Sequence, residues 1–353
     1  MLNKLSIILK MLKFTFFIPS GDTVLLAELN PCHGELLYTW VKMLKDCHKE
    51  IVLVINKEVY NELLPLDPIF ADTKIYPFFF RFWKFIFSKH IINRYQKVIF
   101  NSEYIYPAES SICRMLPYFK EKQKNILVVT HDMRQILVPE AQKIGLWPHD
   151  VKNFTPVYFQ YFPLLAPEKK VNVIKNFIIV GGDNPSCRNF KILYNTLQSV
   201  PQHILEQIRI TVIGFNIPEI PEPLKKFFVL PGRCSFQKLF QTIQGSDAIL
   251  MLLDPENKEH LRYYSGVVSG NINLSFGFHC PMVIEKDFAN FYGISENNGF
   301  VYTGNDSLAQ TLTAIATMSA DDYGKIRTSL AEEAEKKYTA GLDNLKKLLS
   351  NDL

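Results

Sequence analysis

Two short segments in the second half of the sequence combine glycines with cations or hydroxyls in a way that suits anion binding. The first is Val180-Gly181-Gly182, which is followed by Arg188 and Lys191. Paired glycines after a strand allow a tight turn and a close approach of the backbone to a ligand. Two cations at the mouth of the next helix, together with the helix dipole, would bind a diphosphate. The alternative is an ordinary strand–turn–helix connection with solvated cations.

The second segment runs from Tyr264 to Ser269, Gly270 and Asn271, directly before an apolar helical stretch. Small residues ahead of a helix leave backbone N–H groups and hydroxyls free to bind an anion. A tight packing turn would explain the same residues. Neither segment matches the GxxxxGK[ST] phosphate loop or the GxGxxG dinucleotide fingerprint, so the sequence argues against those two classes of nucleotide site.

The first half of the sequence places two histidines next to predicted element ends. His131 and Asp132 follow an apolar strand, where the histidine can hydrogen-bond a ligand hydroxyl or orient an acceptor. A capping aspartate beside a satisfied histidine is the alternative. His33 and Glu35 lie at the start of a predicted helix and are candidates for an acceptor contact or a base, although a plain helix cap also explains them.

A basic and aromatic stretch, PFFFRFWKFIFSKHIINR, occupies residues 77–94. Aromatic and cationic faces on one short helix are typical of a helix that inserts beside anionic lipid headgroups. A core helix with snorkelling cations is the alternative, and a nucleic-acid site is disfavoured because stacking aromatics would need a wider basic groove. The residues predicted to meet a membrane are Phe79, Arg81, Phe82, Trp83 and Lys84.

The elements that must position these residues follow from apolar runs that alternate with helical stretches. The predicted strands are Lys13–Pro19, Ile51–Ile55, Lys97–Phe100, Asn125–Thr130, Phe177–Val180, Ile208–Ile213, Phe227–Leu230, Ala248–Leu253 and Pro281–Ile284. The predicted helices include Glu35–Lys45, Ile192–Leu197 and Asp321–Leu353. Because the alternation occurs twice, the sequence predicts two doubly wound α/β domains with parallel sheets.

A boundary between the two domains is predicted at Thr155–Lys170, which contains three prolines and lacks helical periodicity. We therefore expect a first Rossmann-like domain over residues 1–163 and a second over 164–322. A C-terminal helix over 323–353 is expected to return to the first domain. Open α/β sheets bind ligands at the carboxyl ends of their strands, so a small-molecule enzyme with an anionic substrate is favoured.

The second half resembles the donor-binding domain of GT-B glycosyltransferases, particularly those of family 4. Phe177–Gly182 with Arg188 and Lys191 is similar to the family's strand and glycine loop, whose cations bind the nucleotide diphosphate. Val229–Pro255 resembles the glycine turn near the nucleobase with the helix and strand after it. Ser265–Ile284 resembles the family's second glycine turn, helix and G-x-P-V-I strand. The first domain matches only in topology and in the histidine motif after its strand.

This resemblance implies a fold of two Rossmann-like domains that face each other across a cleft, and it implies roles for the candidate residues. Arg188 and Lys191 would neutralise the diphosphate leaving group and His131 would touch the transferred sugar, so these three are the predicted catalytic residues. His33 and Glu35 would lie on the acceptor side. The predicted donor-binding residues are Gly181, Gly182, Gly232, Arg233, Ser269, Gly270 and Asn271.

The sequence departs from the family at two carboxylates. Family members carry two glutamates separated by seven residues across the second phosphate loop, and the corresponding positions here are Gly266 and Leu274. In the family these glutamates contact the donor sugar and the ribose. A related branch of bacterial glycan transferases resembles this sequence in using serine, glycine and asparagine there.

Composition and charge argue against several other classes of protein. The chain has 353 residues, 47% of them hydrophobic and 21% charged, which argues against a disordered chain. A net charge of +4 is small for a dedicated nucleic-acid binder. The six cysteines are dispersed without metal-ligand spacing, as in reduced intracellular proteins. Lysines interrupt the apolar N-terminus, so we expect no signal peptide and a cytoplasmic protein, with a peripheral location on the inner face of the cell membrane as a further expectation.

The sequence therefore predicts a glycosyltransferase of bacterial glycan biosynthesis that moves a hexosyl or related sugar from a nucleotide-sugar donor to a glycan or lipid-linked acceptor. No cofactor and no metal are expected, because no DxD motif is evident, and no nucleic-acid partner is expected. A sugar-nucleotide epimerase is one alternative, although it would need carboxylates in the cleft. A non-catalytic GT-B subunit that binds a partner transferase is the other, and the two missing glutamates favour it.

Overall fold

The computed structural model describes residues 4–63, 68–79, 89–105, 110–111, 125–134, 141–148, 154–164 and 174–350. The chain divides into two compact units, each of which mixes strands and helices. Unit 1 comprises Met1–Pro163, Gly266–Val268 and Tyr338–Leu353, and unit 2 comprises Leu164–Ser265 and Ser269–Lys337.

Unit 1 is built on a seven-stranded sheet in the order β3-β2-β1-β4-β7-β8-β9, and its neighbouring strands pair in parallel. Two further strands, β5 and β6, form a separate antiparallel pair. The strands are β1 (Thr23–Glu28), β2 (Glu50–Asn56), β3 (Lys74–Phe78), β4 (Lys97–Phe100), β5 (Tyr104–Ile105), β6 (Ser110–Ser111), β7 (Ile126–Thr130), β8 (Gln142–Gly145) and β9 (Phe154–Pro156).

Helices and a short 3-10 turn connect these strands. They are α1 (Lys4–Phe16), α2 (Leu36–Asp46), α3 (Lys57–Glu62), the 3-10 turn Pro68–Phe70 and α4 (Lys89–Ile92). In α2 the apolar positions Leu37, Trp40, Val41 and Leu44 are fully buried, as their helical spacing predicts.

Unit 2 is built on a six-stranded sheet in the order β12-β11-β10-β13-β14-β15, again with parallel pairing. Its strands are β10 (Lys175–Val180), β11 (Ile208–Ile213), β12 (Phe228–Gly232), β13 (Ala248–Leu250), β14 (Met282–Glu285) and β15 (Phe300–Tyr302). Its helices and 3-10 turns are α5 (Phe190–Ser199), α6 (Gln202–Leu205), Glu222–Phe227, α7 (Phe236–Gln244), His260–Tyr264, α8 (Gly270–Phe278), α9 (Lys286–Tyr292), α10 (Gly304–Thr317) and α11 (Ala320–Ser350).

Each sheet reverses its strand order beside its first strand. In unit 1 the chain builds outward from β1 to β3 and then resumes with β4 on the other side of β1. In unit 2 it does the same around β10, and β13 is the strand after the reversal. Ligands of open α/β sheets bind outside the carboxyl ends of the strands at such a reversal. The two reversal points therefore mark where a site is to be sought in each unit.

The last helix, α11, is shared between the units. It is assigned to unit 2 as far as Lys337 and to unit 1 from Tyr338 onward, so the predicted return to the first unit is confirmed. The Tyr338 hydroxyl donates to Asp46 Oδ2 at 2.8 Å. Near the end of the helix, Lys97 Nζ donates to the carbonyl oxygen of Leu348 at 2.8 Å.

The N-terminal strand prediction is wrong. Lys13–Phe16 is the end of α1, and the first strand is β1, ten residues later in the sequence than predicted. Ile7, Met11 and Phe14 lie at helical spacing and are buried in the core of unit 1, so tertiary packing overrides the β-rich composition. The sequence of β1, TVLLAE, is buried at every position, so its strand has no alternation to reveal it.

Two other boundaries also differ from the predictions. Part of the predicted linker is strand β9, and Val157, Phe159 and Phe162 beyond it are buried. Aromatic burial explains why this proline-containing segment packs onto the unit. The basic and aromatic stretch begins inside β3, which includes Pro77 and Phe78.

No helix in the described parts of the chain is long and apolar enough to cross a membrane.

Candidate functional site

The loop after β10 is packed too tightly for any side chain on its glycines. Gly181 has φ +108°, and a Cβ there would lie 2.1 Å from Nη2 of Arg188. A Cβ on Gly182 would lie 2.3 Å from the carbonyl oxygen of Asn216, in the loop after β11. The groups that approach these two glycines closely are Arg188 and the loop after β11, and the predicted approach of a ligand stays a prediction.

The two cations predicted to bind a diphosphate have different surroundings. Arg188 donates from Nη2 to the carbonyl oxygen of Val180 and from Nη1 to that of Gly182 at 3.5 Å. Burial lowers the pKa of its guanidinium. Lys191 is exposed in the first turn of α5, where the Asn189 side chain caps the helix by accepting from Ile192 N at 3.4 Å. Both cations thus lie at the start of α5, next to the end of β10.

Helix α8 begins at Gly270, so Gly270 and Asn271, predicted to precede the helix, lie in its first turn, and Ser269 occupies the N-cap position without a side-chain capping bond. No atom of the described residues lies within 4 Å of a Cβ placed on Gly270, so in this part of the chain the space beside the first turn is open. Asn271 is buried. Asn273 lies one turn beyond Gly270 and is buried, and neither of its amide atoms has a partner among the described residues. The start of α8 combines an open approach with unsatisfied polar groups.

Two residues that the sequence did not single out, His260 and Arg262, contact the loop between β10 and α5. His260 is buried; its Nδ1 accepts from Asp254 N at 2.9 Å, so Nε2 donates to the carbonyl oxygen of Pro185 at 3.0 Å. Burial lowers the pKa of His260, which favours this neutral form. His260 and Arg262 are distant in the sequence from the loop residues that they contact and share no motif with them. They can therefore be recognised only in the structure.

A thiol and a second arginine lie at the same loop. Arg262 donates to Sγ of Cys187. Burial would raise the pKa of this thiol, but hydrogen bonds with Ser186 and Tyr263 and the positive charge of Arg262 lower it overall. Arg262 therefore adds a third cation to the surroundings of the loop, beside Arg188 and Lys191.

Gly232 and Arg233 lie at the end of β12, on the neighbouring part of the same sheet edge. Gly232 has φ +73°, and its carbonyl oxygen accepts from Gly214 N at 3.2 Å. The guanidinium of Arg233 stacks on the exposed ring of Phe215, 4.6 Å from its centroid. This pair offers a flat, partly cationic surface at the edge of the sheet.

The two positions where family 4 members carry glutamates have structural reasons to differ here. Gly266 has φ +131°, and a Cβ there would lie 3.1 Å from Cγ of Arg134. Its carbonyl oxygen accepts from Met133 N at 2.9 Å, and Val267 forms an antiparallel bridge with Asp132. Leu274 is buried. A glutamate at either position would need a different local packing.

In unit 1 three neighbouring strands bring polar residues to one point at their carboxyl ends. Glu28 ends β1, Asn101 follows β4, and His131 follows β7. The Asn101 side-chain amide donates to Glu28 Oε2 at 2.6 Å, and its Oδ1 accepts from Trp40 Nε1 at 2.9 Å. His131 Nε2 donates to the carbonyl oxygen of Asn101 at 3.1 Å. This bond fixes the tautomer of His131 and leaves its Nδ1 as an acceptor.

His33 and His131 form a stacked pair with ring centroids 4.1 Å apart. His33 has φ +61°, which is uncommon for a residue with a side chain. Burial and the charge on His33 lower the pKa of His131 to about 3. Burial would also lower the pKa of His33, but hydrogen bonds with Cys32 and Glu35 raise it well above 6.5, and its side chain keeps 39% of its surface exposed to water. The pair is therefore one charged and one neutral imidazole.

Glu28 is fully buried, and burial raises the pKa of its carboxyl to about 7. Asn30 N donates to its Oε1 at 2.7 Å. The sequence did not identify Glu28, because it ends an otherwise apolar run and belongs to no motif. Asn101 connects Glu28 with the loop that carries His33, because its amide also donates to the carbonyl oxygen of His33 at 3.0 Å.

Of the predicted membrane residues, only Phe79 is described. It is partly buried against the core of unit 1, with Lys57 Nζ 5.7 Å from its ring centroid. Arg81, Phe82, Trp83 and Lys84 lie outside the described residues. Within the described ranges, no cluster of three or more histidine, cysteine, aspartate or glutamate side chains could hold a metal ion.

No protein-family model matches the sequence, and no curated protein matches it. Solved structures do match its fold. HepE from Anabaena, crystallised in complex with UDP and glucose, has a TM-score of 0.60 at 12% identity and aligns over 94% of this chain and 100% of its own. A glycosyltransferase from Rickettsia africae has a TM-score of 0.55 at 12% identity, over 95% of this chain and 100% of its own. The lipopolysaccharide outer core galactosyltransferase WaaB has a TM-score of 0.50 at 12% identity and aligns over 94% of this chain and 100% of its own.

The matches extend over nearly the whole of each chain, so both sheets take part in the likeness. With its seven-stranded and six-stranded parallel sheets and their helices, this chain has the fold of the GT-B glycosyltransferases.

Proposed function

We propose that the protein transfers a sugar from a nucleotide-sugar donor to a glycan or lipid-linked glycan acceptor. The observation that carries the proposal is the arrangement at the strand reversal of unit 2. There the glycine loop of β10, the cations Arg188 and Lys191 and the open start of α8 all lie at carboxyl ends of parallel strands. This arrangement suits a diphosphate. HepE, which has a similar fold, was solved with UDP and glucose.

On the donor side, Arg188 and Lys191 neutralise the charge that grows on the leaving diphosphate. The N-terminus of α8 contributes hydrogen-bond donors from Ser269, Gly270 and Asn271 to phosphate oxygens. Fixed donors and cations of this kind lower the barrier because they are in place before charge develops. Arg188 uses two of its five N–H donors on carbonyl oxygens, so further donors remain for a phosphate oxygen.

The nucleobase lies beside Gly232 and Arg233 in this proposal. The stacked surface that Arg233 and Phe215 form is flat and partly apolar, which suits a planar aromatic ring. The loop glycines Gly181 and Gly182 keep the backbone close to the phosphates.

On the acceptor side, His131 contacts the transferred sugar, and His33 and Glu35 contact the acceptor. The neutral His131 offers Nδ1 as a hydrogen-bond acceptor for a sugar hydroxyl, whereas the charged His33 offers donors. The likeness to WaaB, a lipopolysaccharide galactosyltransferase, supports a lipid-linked acceptor at the inner face of the cell membrane.

We further propose that transfer needs no metal ion, since the cations of the donor side supply the charge that a metal would otherwise contribute. Activity should be unchanged after dialysis against a chelator. Loss of activity that returns on addition of a divalent cation would contradict this part of the proposal.

The decisive experiment is calorimetric titration with uridine and guanosine diphosphates, followed by assays with nucleotide sugars. Lys191→Ala should weaken nucleotide binding and lower turnover on the order of 100-fold without loss of stability, because Lys191 is exposed. Arg188→Ala should lower turnover similarly and also destabilise the fold by about 1–3 kcal/mol, because its carbonyl hydrogen bonds are lost. Arg188→Lys should recover only part of the turnover lost in Arg188→Ala, because lysine lacks the planar guanidinium group that can bind a phosphate through two N–H groups.

The matched control is Lys286→Ala, which removes an exposed lysine from the first turn of another helix of unit 2 and should leave binding unchanged. If neither diphosphate binds, the protein does not use a uridine or guanosine diphosphate sugar as its donor. If nucleotides bind but the Arg188 and Lys191 variants behave like the control, the diphosphate lies elsewhere in the protein.

A further inference from the structure

One face of helix α1 is fixed to the core of unit 1. Ile7, Met11 and Phe14 recur at helical spacing and are buried in that core. At the end of the helix, Arg94 Nη1 donates to the carbonyl oxygens of Thr15 at 2.7 Å and Phe17 at 3.3 Å. A cation that binds the last carbonyl groups stabilises a helix end. The helix therefore cannot turn its other face inward.

The opposite face of α1 is apolar and exposed. Its positions recur at intervals of three and four residues, so they form one continuous stripe along the helix. Large exposed apolar patches on a protein surface mark interaction sites. The stripe consists of Leu5 (64% exposed), Ile8 (40%), Leu9 (51%), Leu12 (47%) and Phe16 (79%), and Ile18 (83%) lies just beyond it.

The charge on α1 indicates what covers this stripe. The helix contains three lysines and neither aspartate nor glutamate. Lys4 and Lys13 are exposed and lie on either border of the stripe, whereas Lys10 is half-buried and donates to the Tyr60 hydroxyl at 3.4 Å. An apolar stripe with lysines on both sides is the arrangement of a helix that lies in the plane of an anionic lipid surface. Two copies of this face would instead bring like charges together.

We propose that α1 is a membrane-contacting helix whose Leu5–Phe16 stripe lies among the headgroups of an anionic bilayer. The described part of α1, Lys4–Phe16, has 13 residues, fewer than the roughly 20 that a bilayer-spanning helix needs. It packs against β3 through Phe14 and Tyr76, whose ring centroids are 5.3 Å apart. The sequence after β3, residues 80–88, likewise combines apolar and basic residues without an acidic one. The inference concerns lipid binding and holds whether or not the proposed sugar transfer is correct.

The test is co-sedimentation of the full chain with vesicles of phosphatidylcholine alone and of phosphatidylcholine mixed equally with phosphatidylglycerol. The protein should bind the mixed vesicles and bind the neutral ones much more weakly. Leu9→Gln should weaken binding about tenfold, because a half-exposed leucine no longer enters the lipid. Lys4→Gln and Lys13→Gln should each weaken it roughly fivefold.

The matched control is Leu164→Gln, which changes a leucine that is 77% exposed outside α1 and should leave vesicle binding unchanged. Circular dichroism confirms that each variant remains folded. Absence of binding to the mixed vesicles, or equal binding by Leu9→Gln and the wild type, would overturn the proposal. If the wild type is instead a dimer that Leu9→Gln converts to a monomer, and vesicles do not bind, the stripe is covered by a second copy of the chain.

Discussion

His33 and His131 differ in charge although their rings are in contact. The charge on His33 is stabilised by Cys32 and Glu35, while His131 is buried and held through Nε2 by the carbonyl oxygen of Asn101. The positive ring opposes protonation of its neighbour. This arrangement keeps an uncharged acceptor nitrogen beside a charged donor, which suits the binding of a polyhydroxylated ligand.

Titration of the histidine rings by nuclear magnetic resonance checks this assignment. The signals of His131 should remain those of a neutral imidazole until the pH approaches about 3. In His33→Asn, which keeps a residue that tolerates positive φ, the pKa of His131 should rise because the neighbouring charge is gone. A His131 that titrates near 6.5 in the wild type would show that neither burial nor a charged neighbour opposes its protonation.

Glu28 adds a pH dependence to stability. Its carboxyl has a pKa of 4.5 when unfolded and about 7 when folded, so the folded state binds its proton more tightly. Glu28 makes its full contribution to the free energy of unfolding below about pH 4.5, and this contribution is lost as the pH rises through about 7. Relative to the wild type, Glu28→Gln should therefore gain up to about 3 kcal/mol over that interval. Urea unfolding at several pH values measures the difference, and a constant difference would contradict the assignment.

At the scale of elements, α11 contains two glycines with different surroundings. A Cβ on Gly324 would meet nothing within 4 Å, whereas a Cβ on Gly341 would lie 2.9 Å from Tyr158 N. The second glycine thus permits the helix to approach the backbone beyond β9. The first has no such role, and a glycine inside a helix lowers stability.

The same substitution at these two positions should have opposite effects. Gly324→Ala should raise the free energy of unfolding by about 1 kcal/mol, and Gly341→Ala should lower it by about 1–3 kcal/mol. Denaturant unfolding of both variants beside the wild type is the measurement. Equal stabilisation by the two alanines would mean that α11 can move away from Tyr158 at little cost.

The elements that the sequence predicted well are those with a complete local pattern. Strand β11 is confirmed at its predicted bounds because its apolar run is complete, and α8 occurs where an apolar stretch follows small residues, although it starts two residues earlier than predicted. The strand prediction at Lys13–Pro19 is wrong at the end of α1 because Phe14 and Phe16 suit both a helix and a strand.

At the site, the glycine turn of β10 was predictable from Gly181 and Gly182, which follow an apolar strand directly. Glu28 and His260 were not, because a buried polar residue gains its partners only through tertiary contacts. The stacking of His33 on His131 likewise depends on the neighbouring positions of β1, β4 and β7 in the sheet.

At the scale of the whole molecule, the proposed nucleotide site belongs to unit 2 and the histidine pair to unit 1. A nucleoside diphosphate at about a hundredfold over its dissociation constant should stabilise the state that binds it by about 2.7 kcal/mol. Because the proposed contacts lie in unit 2, the bound nucleotide should protect the backbone amides around β10, α5 and α8 most strongly from hydrogen exchange.

Hydrogen exchange followed by mass spectrometry tests this distribution. Amides of β10 and the start of α8 should exchange up to about a hundredfold more slowly with nucleotide, while those of β1, β4 and β7 change little. Lys191→Ala should reduce the protection at the same nucleotide concentration. Protection confined to β1, β4 and β7 would assign the nucleotide to unit 1.

The polypeptide passes between the two units four times, after Pro163, Ser265, Val268 and Lys337. The middle two passages enclose only Gly266–Val268, which bond to Asp132 and Met133. Consequently, neither unit can be exchanged with that of a related protein as one uninterrupted cassette. A chimera that imports residues 164–337 would also import a foreign tripeptide against Met133, so a transplant should retain the native Gly266–Val268 and splice at each of the four passages.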